Sequence, residues 1–115
     1  MENLEIIPKL NDRGVLIIKV IGFVDASNIT LFDRRMHEAV ENGYSKIILD
    51  LSELQYINSS ALGILLDIHL SANKRKGDLR ILNLPRKMQK TFDVLGFNDY
   101  FQIFNDEKSA VYSFS

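Results

Sequence analysis

The chain has 115 residues, and 14 basic side chains against 15 acidic ones give it a net charge of −1. This length accommodates one hydrophobic core, so we expect a single domain over residues 1–115. The chain contains no cysteine, which excludes disulfides, thiolate metal sites and cysteine nucleophiles. No secretory signal and no apolar run of about 18 residues is visible, so we expect a cytoplasmic protein without a membrane span. The near-neutral charge argues against a nucleic-acid binder.

Strand patterns alternate with helix patterns along the chain. Residues 4–10 and 15–21 predict two strands joined by a turn at 11–14, and Gly22 is expected to end the second strand. Pro8 places the first strand at a sheet edge. Further strands are predicted at 46–51, 79–84 and 101–104, and residues 52–58 are predicted to be a connection.

Four helices are predicted from apolar residues spaced three and four apart. The first covers residues 29–40, with Ser27 or Asn28 as its cap, and the second covers residues 59–76. The third follows Pro85, and the fourth follows Asn105 or Asp106. The buried stripe of the second helix is predicted to include Ala61, Leu62, Leu65, Ile68, His69 and Ala72.

Strands that are separated by helices must be mostly parallel, because a crossover helix returns the chain to the same edge of the sheet. The first two strands can instead pair as a hairpin. The predicted fold class is therefore α/β, with a single mixed, mostly parallel sheet, an N-terminal antiparallel edge strand and about four helices.

The segment 50–63 carries the strongest functional signal. It places Asn58, Ser59 and Ser60 between an apolar strand and the apolar helix that follows. A hydroxyl in the first turn lies beside unpaired backbone N–H groups and the positive end of the helix dipole, where a phosphate would be stabilised. Ordinary helix capping explains the same pattern. The residues alone leave both interpretations open.

The residues of segment 50–63, Asp-Leu-Ser-Glu-Leu-Gln-Tyr-Ile-Asn-Ser-Ser-Ala-Leu-Gly, resemble the signature of STAS domains, specifically of bacterial anti-sigma factor antagonists. The element Gly22-Phe23-Val24-Asp25 resembles the turn before the first helix of that family. The stretch Val94-Leu95-Gly96-Phe97 resembles its carboxyl-terminal pattern. The resemblance covers nearly the whole chain and implies a STAS-like fold.

The resemblance implies a regulatory protein that is not an enzyme and needs no cofactor. Family members bind an anti-sigma factor that is also an ATP-dependent serine kinase, and this binding releases a sigma factor. The kinase inactivates the antagonist by phosphorylating one serine, and a PP2C-type phosphatase restores it. The phosphoacceptor position falls on Ser59, with Ser60 as second choice. The implied partner-binding residues are Asp25, Asn58, Ser59 and Ser60; for Asp25, a role as a turn residue is the alternative.

Two residues depart from the family's pattern. Asn58 stands where Asp is frequent, which keeps the cap but removes a negative charge beside the acceptor. Ala61 stands where Gly is usual and is expected to add a methyl group where a partner approaches. An interaction module of the same fold, without phosphorylation or sigma-factor control, is therefore an alternative function. A small hydrolase that uses Ser59 is a third hypothesis.

Other polar residues favour structural roles. Asp50 lies at the carboxyl end of a predicted strand, as the phosphorylated Asp of response regulators does, but no acidic pair follows the first core strand here. Asp50 is therefore expected to serve as a cap or to support a turn. His37 and His69 lie on predicted helices, and His69 is about 15 Å along its helix from Ser59, which disfavours a catalytic triad. Two histidines without cysteine also argue against a metal site.

Positive charge is concentrated in residues 74–90, which hold seven of the 14 basic residues and only Asp78 among acids. A docking patch for an acidic partner is one interpretation, and solvated helix ends and loops are the simpler one. No aromatic residue interleaves with these cations, which argues against nucleic-acid binding. The seven are Lys74, Arg75, Lys76, Arg80, Arg86, Lys87 and Lys90.

Overall fold

The computed structural model describes residues 3–114. Its strands are β1 (Leu4–Leu10), β2 (Leu16–Val24), β3 (Lys46–Asp50), β4 (Leu54–Ile57), β5 (Asp78–Leu82) and β6 (Ile103–Phe104). Its helices are α1 (Ile29–Glu41), α2 (Ser59–Lys74), α3 (Arg86–Val94) and α4 (Glu107–Tyr112), with a 3-10 helix at Phe97–Asp99. None of the helices in this range is long and apolar enough to cross a membrane.

The described strands form one mixed sheet in the order β1-β2-β3-β5-β6, and β4 pairs with β2. The β1–β2 pair is antiparallel, and the other pairs are parallel. Along β2, the pairing with β3 covers residues 16–19 and the pairing with β4 covers residues 22–24. This arrangement confirms the predicted mixed sheet with an antiparallel amino-terminal edge.

The two faces of the sheet are covered by different helices, because successive strand residues point to opposite faces. Leu16 and Ile18 face the larger core, which also contains side chains of α1, α2 and α3. Ile17 faces the smaller core, which contains Ala110 and Val111 of α4. The buried stripe of α2 consists of the six predicted residues: Ala61, Leu62, Leu65, Ile68, His69 and Ala72.

The connection predicted at residues 52–58 is in fact partly a strand. Residues of β4 pair in parallel with the end of β2, and the buried side chain of Leu54 anchors β4 to the larger core. The four residues Leu-Gln-Tyr-Ile are too few for a clear alternating pattern, so no strand was predicted there. The pairing matters for the site, because it aligns the ends of β2 and β4.

The prediction that Gly22 ends the second strand is wrong. Gly22 has φ +104, and the pairing register shifts between it and Phe23, so the strand continues to Val24. A side chain at this position would collide with the backbone oxygen of Asn3. Glycine therefore allows β2 to bend past β1 and reach β4.

The last strand is shorter than the predicted range 101–104. Only Ile103 and Phe104 pair with β5. Phe101 instead turns into the larger core, where it is 3% exposed and its ring centre lies 5.0 Å from that of His69.

Candidate functional site

The candidate site lies where two neighbouring parallel strands end. Val24 and Ile57 are register partners at the ends of β2 and β4. The backbone N–H of Asn58 donates to the carbonyl of Val24 at 3.0 Å, which ties the start of α2 to the end of β2. Asp25 and Asn58 therefore follow adjacent strand ends at the carboxyl edge of the sheet, the edge where ligands of α/β sheets bind.

Asn58 caps α2. Its Oδ1 accepts a hydrogen bond from the N–H of Ala61 at 2.9 Å, and its backbone is extended. Ser59 and Ser60 are the first two helical residues, and both are exposed. Within residues 3–114, neither hydroxyl makes a side-chain hydrogen bond. The first turn contains no acid, so the positive end of the dipole of this 16-residue helix faces solvent without a compensating charge.

The loop after β2 holds Asp25 in a fixed position. Its Oδ1 accepts hydrogen bonds from the Ser27 hydroxyl at 2.5 Å and the Ser27 N–H at 3.0 Å. These two bonds, the hydroxyl first, hold the pKa of Asp25 below its ordinary value, so its carboxylate is charged at neutral pH. The interpretation of Asp25 as a turn residue thus describes its local structure.

Asn28 stands at the cap position of α1, but its side chain makes no capping bond. Its Oδ1 accepts from the N–H of Asp25 at 3.0 Å, and its Nδ2 donates to the carbonyl of Phe23 at 2.8 Å. Asn28 is therefore the cap residue of α1, one of the two predicted, but its side chain bonds to the preceding loop and not to the first turn of the helix. Sequence reasoning missed this bracing by Asn28; the Asp-x-Ser spacing of an Asx turn could have indicated only the bonds from Ser27 to Asp25.

Ala61 does not face a partner. Its side chain is 0% exposed and belongs to the larger core. The expectation that its methyl group meets an approaching protein is wrong, because position 61 lies on the inner side of α2. This departure from the family's pattern leaves the outer surface of the helix unchanged.

The exposed side of α2 continues from Ser59 through Gly63 to Leu70, which is 49% exposed. A Cβ at Gly63 would have nothing within 4 Å, so the fold itself does not require glycine there. On the sheet, Phe23 and Tyr56 are register partners with exposures of 45% and 51%. The strand ends thus carry exposed aromatic rings beside the Asp25 and Asn58 loops.

The remaining predicted polar residues lie outside this site. Asp50 Oδ1 accepts from the N–H of Ser52 at 3.0 Å, the turn support that was expected. His69 is 8% exposed in the core, 3.0 Å from a carboxylate oxygen of Asp78. Among residues 3–114, no group of three or more histidine and acidic side chains is arranged to hold a metal ion.

His37 bridges the two helices beside the site. Its Nε2 lies 2.8 Å from Asp67 Oδ2 on α2, and its Nδ1 lies 2.8 Å from Asp33 Oδ1 on α1. The hydrogen bond to Asp67, followed by the contacts with Asp33, raises the pKa of His37 above its ordinary value. The ring therefore links α1 to α2.

Comparison with known proteins assigns a family to this architecture. The family model of the STAS domain matches residues 7–110. The chain belongs to the STAS domain family. Among curated relatives of this STAS domain, the anti-sigma F factor antagonist of Paenibacillus polymyxa is 27% identical over 100 residues, which cover 86% of each protein.

Solved structures share the fold of this STAS domain. An anti-sigma factor antagonist from Mycobacterium paratuberculosis superposes with a TM-score of 0.86 at 17% identity, covering 96% of this chain and 93% of that one. The Bacillus cell fate determinant SpoIIAA, in its phosphorylated form, superposes with a TM-score of 0.74 at 20% identity, covering 95% and 98%. At these identities the likeness establishes the fold.

Proposed function

We propose that this STAS domain is an anti-sigma factor antagonist that binds a cognate anti-sigma factor and thereby releases a sigma factor. The observation that carries the proposal is the pair of exposed hydroxyls, Ser59 and Ser60, at the uncharged and capped start of α2 beside Asp25. The names of the relatives support the same function. The chain acts by binding, and the chemistry of the switch belongs to its partners.

Ser59 is the proposed phosphoacceptor, and the anti-sigma factor is the proposed ATP-dependent kinase. A kinase needs an accessible hydroxyl, and that of Ser59 is exposed at the first position of α2. The phosphate adds about −1.5 to −2 charges at neutral pH, next to N–H groups that have no partner in the helix. The side chain of the cap residue Asn58 is neutral and does not repel the phosphate. The phosphorylated protein is therefore expected to keep its fold.

The phosphate is proposed to inactivate the protein by blocking the interface. The exposed side of α2 contains Gly63, Leu70 and Asp67, whose carboxylate is paired with His37, so a partner docked on this side encloses Ser59. A dianion trapped in that interface without a partner costs several kcal/mol, which is enough to abolish binding. A PP2C-type phosphatase is the proposed partner that restores the neutral serine.

Asp25 is proposed as a second contact for the anti-sigma factor. Its carboxylate is charged and held by Ser27, so it can receive a basic side chain of the partner with little loss of conformational entropy. The adjacent Asn58 and Ser60 complete the proposed surface.

The proposal is tested by incubating the protein with its candidate anti-sigma factor kinases and ATP, followed by mass mapping of the modified peptide. We expect one phosphate, on Ser59, its loss in Ser59→Ala, and its retention in the matched variant Ser60→Ala. Phosphorylation of Ser60 alone would refute the acceptor assignment. Tight binding of the anti-sigma factor with no phosphate on either serine would favour an unphosphorylated interaction module.

A further inference from the structure

The cations of residues 74–90 do not form one patch. Lys74 lies in the last turn of α2, where a positive charge suits the helix dipole. Arg80 donates to Asp78 Oδ2 at 3.0 Å and lies over the Phe114 ring at 4.1 Å from its centre. These two cations therefore have roles in the fold. A separate group lies on α3 and comprises Arg86, Lys87 and Lys90.

The α3 cations are exposed and have no ion-pair partner within residues 3–114. Arg86 and Lys87 occupy the first turn of α3, where the positive end of the helix dipole opposes them. That turn contains no acid, and no side chain caps it. These positive charges therefore do not stabilise α3. Surface residues that oppose the local structure in this way are typical of functional positions.

A groove separates α3 from β4. Its volume is about 240 Å³. The buried side chains of Met88 and Phe92 form its floor, and its sides include Tyr56, Lys87 and Thr91. Lys87 Nζ donates to Gln55 Oε1 across the groove at 3.2 Å, which holds a positive charge at the rim of an apolar depression.

The outer face of α3 extends this groove. Lys87, Lys90, Thr91 and Val94 are three or four residues apart, so they share one side of the helix. Val94 is 75% exposed. This face combines two positive charges with apolar contact area, a combination that suits a partner with acidic groups around an apolar side chain.

We propose that the groove between β4 and α3 binds an acidic segment of a protein partner. One apolar side chain of the segment enters the groove above Met88 and Phe92, and flanking carboxylates pair with Lys87 and Lys90. A nucleic acid fits less well, because three clustered cations on a chain of net charge −1 neutralise few phosphates. The interaction is independent of the Ser59 hydroxyl and thus extends beyond the proposed switch.

The test measures fluorescence anisotropy of a short labelled peptide, made of Glu and Ser around one Leu, during titration with the full chain. We expect saturable binding that weakens as salt is added. A peptide with Lys for Glu and a peptide with Ser for Leu are expected to bind at least about tenfold more weakly. Equal binding of either control peptide, or tighter binding of labelled single-stranded DNA, overturns the proposal.

Variants locate the binding surface. Lys87→Gln with Lys90→Gln is expected to weaken binding of the acidic peptide about tenfold, and Thr91→Trp, which fills the groove, by a similar factor. Lys46→Gln with Lys74→Gln makes the same change in net charge elsewhere and is expected to bind as wild type does. An equal loss of affinity for the acidic peptide in the two double lysine variants overturns the proposal. Circular dichroism melting verifies that each variant is folded. The Ser59→Ala variant is expected to bind the acidic peptide as wild type does.

Discussion

Helices α2 and α4 begin with the same capping geometry and with different charges. Asn58 Oδ1 accepts from the N–H three residues later at 2.9 Å, and Asp106 Oδ1 does the same in α4, also at 2.9 Å. The residue after the cap is Ser59 in α2 and Glu107 in α4. The chain thus compensates the dipole of α4 with its own carboxylates and leaves the start of α2 uncompensated.

The difference separates what folding requires from what the proposed switch requires. Asn and Asp are both good caps, so the neutral start of α2 is not needed to form the helix. Glu107 shows that an anion at the first helical position is compatible with this fold. An anion added at Ser59 is therefore expected to change what the surface binds, with little change in the structure beneath it.

The largest expected effect follows from making α2 resemble α4. Ser59→Glu is expected to leave stability unchanged or raise it by about 0.3–1 kcal/mol through the helix dipole. Its affinity for the anti-sigma factor is expected to fall at least about a hundredfold, because the carboxylate would be buried unpaired in the proposed interface. Calorimetric titration and thermal melting measure the two effects separately.

The matched control for this substitution is Glu107→Ser, which makes α4 resemble α2. It changes a charge at the equivalent position of another helix and is expected to leave anti-sigma factor binding unchanged. If Ser59→Glu is folded and binds within about a factor of two of wild type, the electrostatic account of α2 is wrong.

Removing the cap of α2 is expected to have the next largest effect. Asn58→Ala should lower the free energy of unfolding by about 1 kcal/mol, because the N–H of Ala61 loses its acceptor. Asn58→Asp keeps the acceptor and should be at least as stable as wild type. Urea denaturation measures both, and an Asn58→Ala protein with an unchanged midpoint would contradict the capping role.

Gly63→Ala probes the exposed side of α2. We expect a gain of about 0.5–1 kcal/mol in stability, because alanine favours a helix and its Cβ meets no atom within 4 Å. If the anti-sigma factor packs closely on this side, the same methyl group weakens binding. A variant that unfolds at lower urea than wild type would show that the glycine has a role within the fold.

The smallest expected effect concerns stability and pH: the contribution of the Asp106 cap changes with pH, and that of the Asn58 cap does not. The hydrogen bonds from Ser109 hold the pKa of Asp106 below its ordinary value of 3.8. Its contribution to stability is therefore present above that value and is lost as the pH falls through the lower pKa of the folded state. Asn58 does not titrate.

The pH difference is measured by melting Asp106→Asn beside wild type from neutral to acidic pH. The gap in melting temperature between the two proteins should close below the ordinary aspartate pKa. A gap that widens on acidification would contradict this assignment of the cap.

The helices were more predictable from sequence than the short strands. The apolar spacing of α2 identifies its whole buried stripe, including Ala61, whose inward direction also shows that its methyl group cannot meet a partner. The strand β4 has four residues and is stabilised by pairing with the distant β2, so no local pattern reveals it. The extension of β2 past Gly22 depends on the same tertiary pairing.

The candidate site likewise contains residues that the sequence indicated and residues that only the fold brings together. The positions of Asn58 and Ser59 follow from the local chemistry of a helix start, and their sequence context indicated them. The bracing of Asp25 by Asn28 depends on how the loop folds back on β2, because the side chain of this cap residue could equally have bonded to the first turn of α1. The groove between β4 and α3 joins residues that are about thirty positions apart, and only the fold brings them together.

The most direct test of the central claim is the affinity of the Ser59-phosphorylated protein for its anti-sigma factor, measured by calorimetric titration beside the unmodified protein. A phosphatase-treated sample serves as the control for irreversible damage. We expect the phosphorylated protein to bind at least about a hundredfold more weakly, with an unchanged circular dichroism spectrum and full recovery after phosphatase treatment. Equal affinities for the phosphorylated and unmodified proteins would contradict the account.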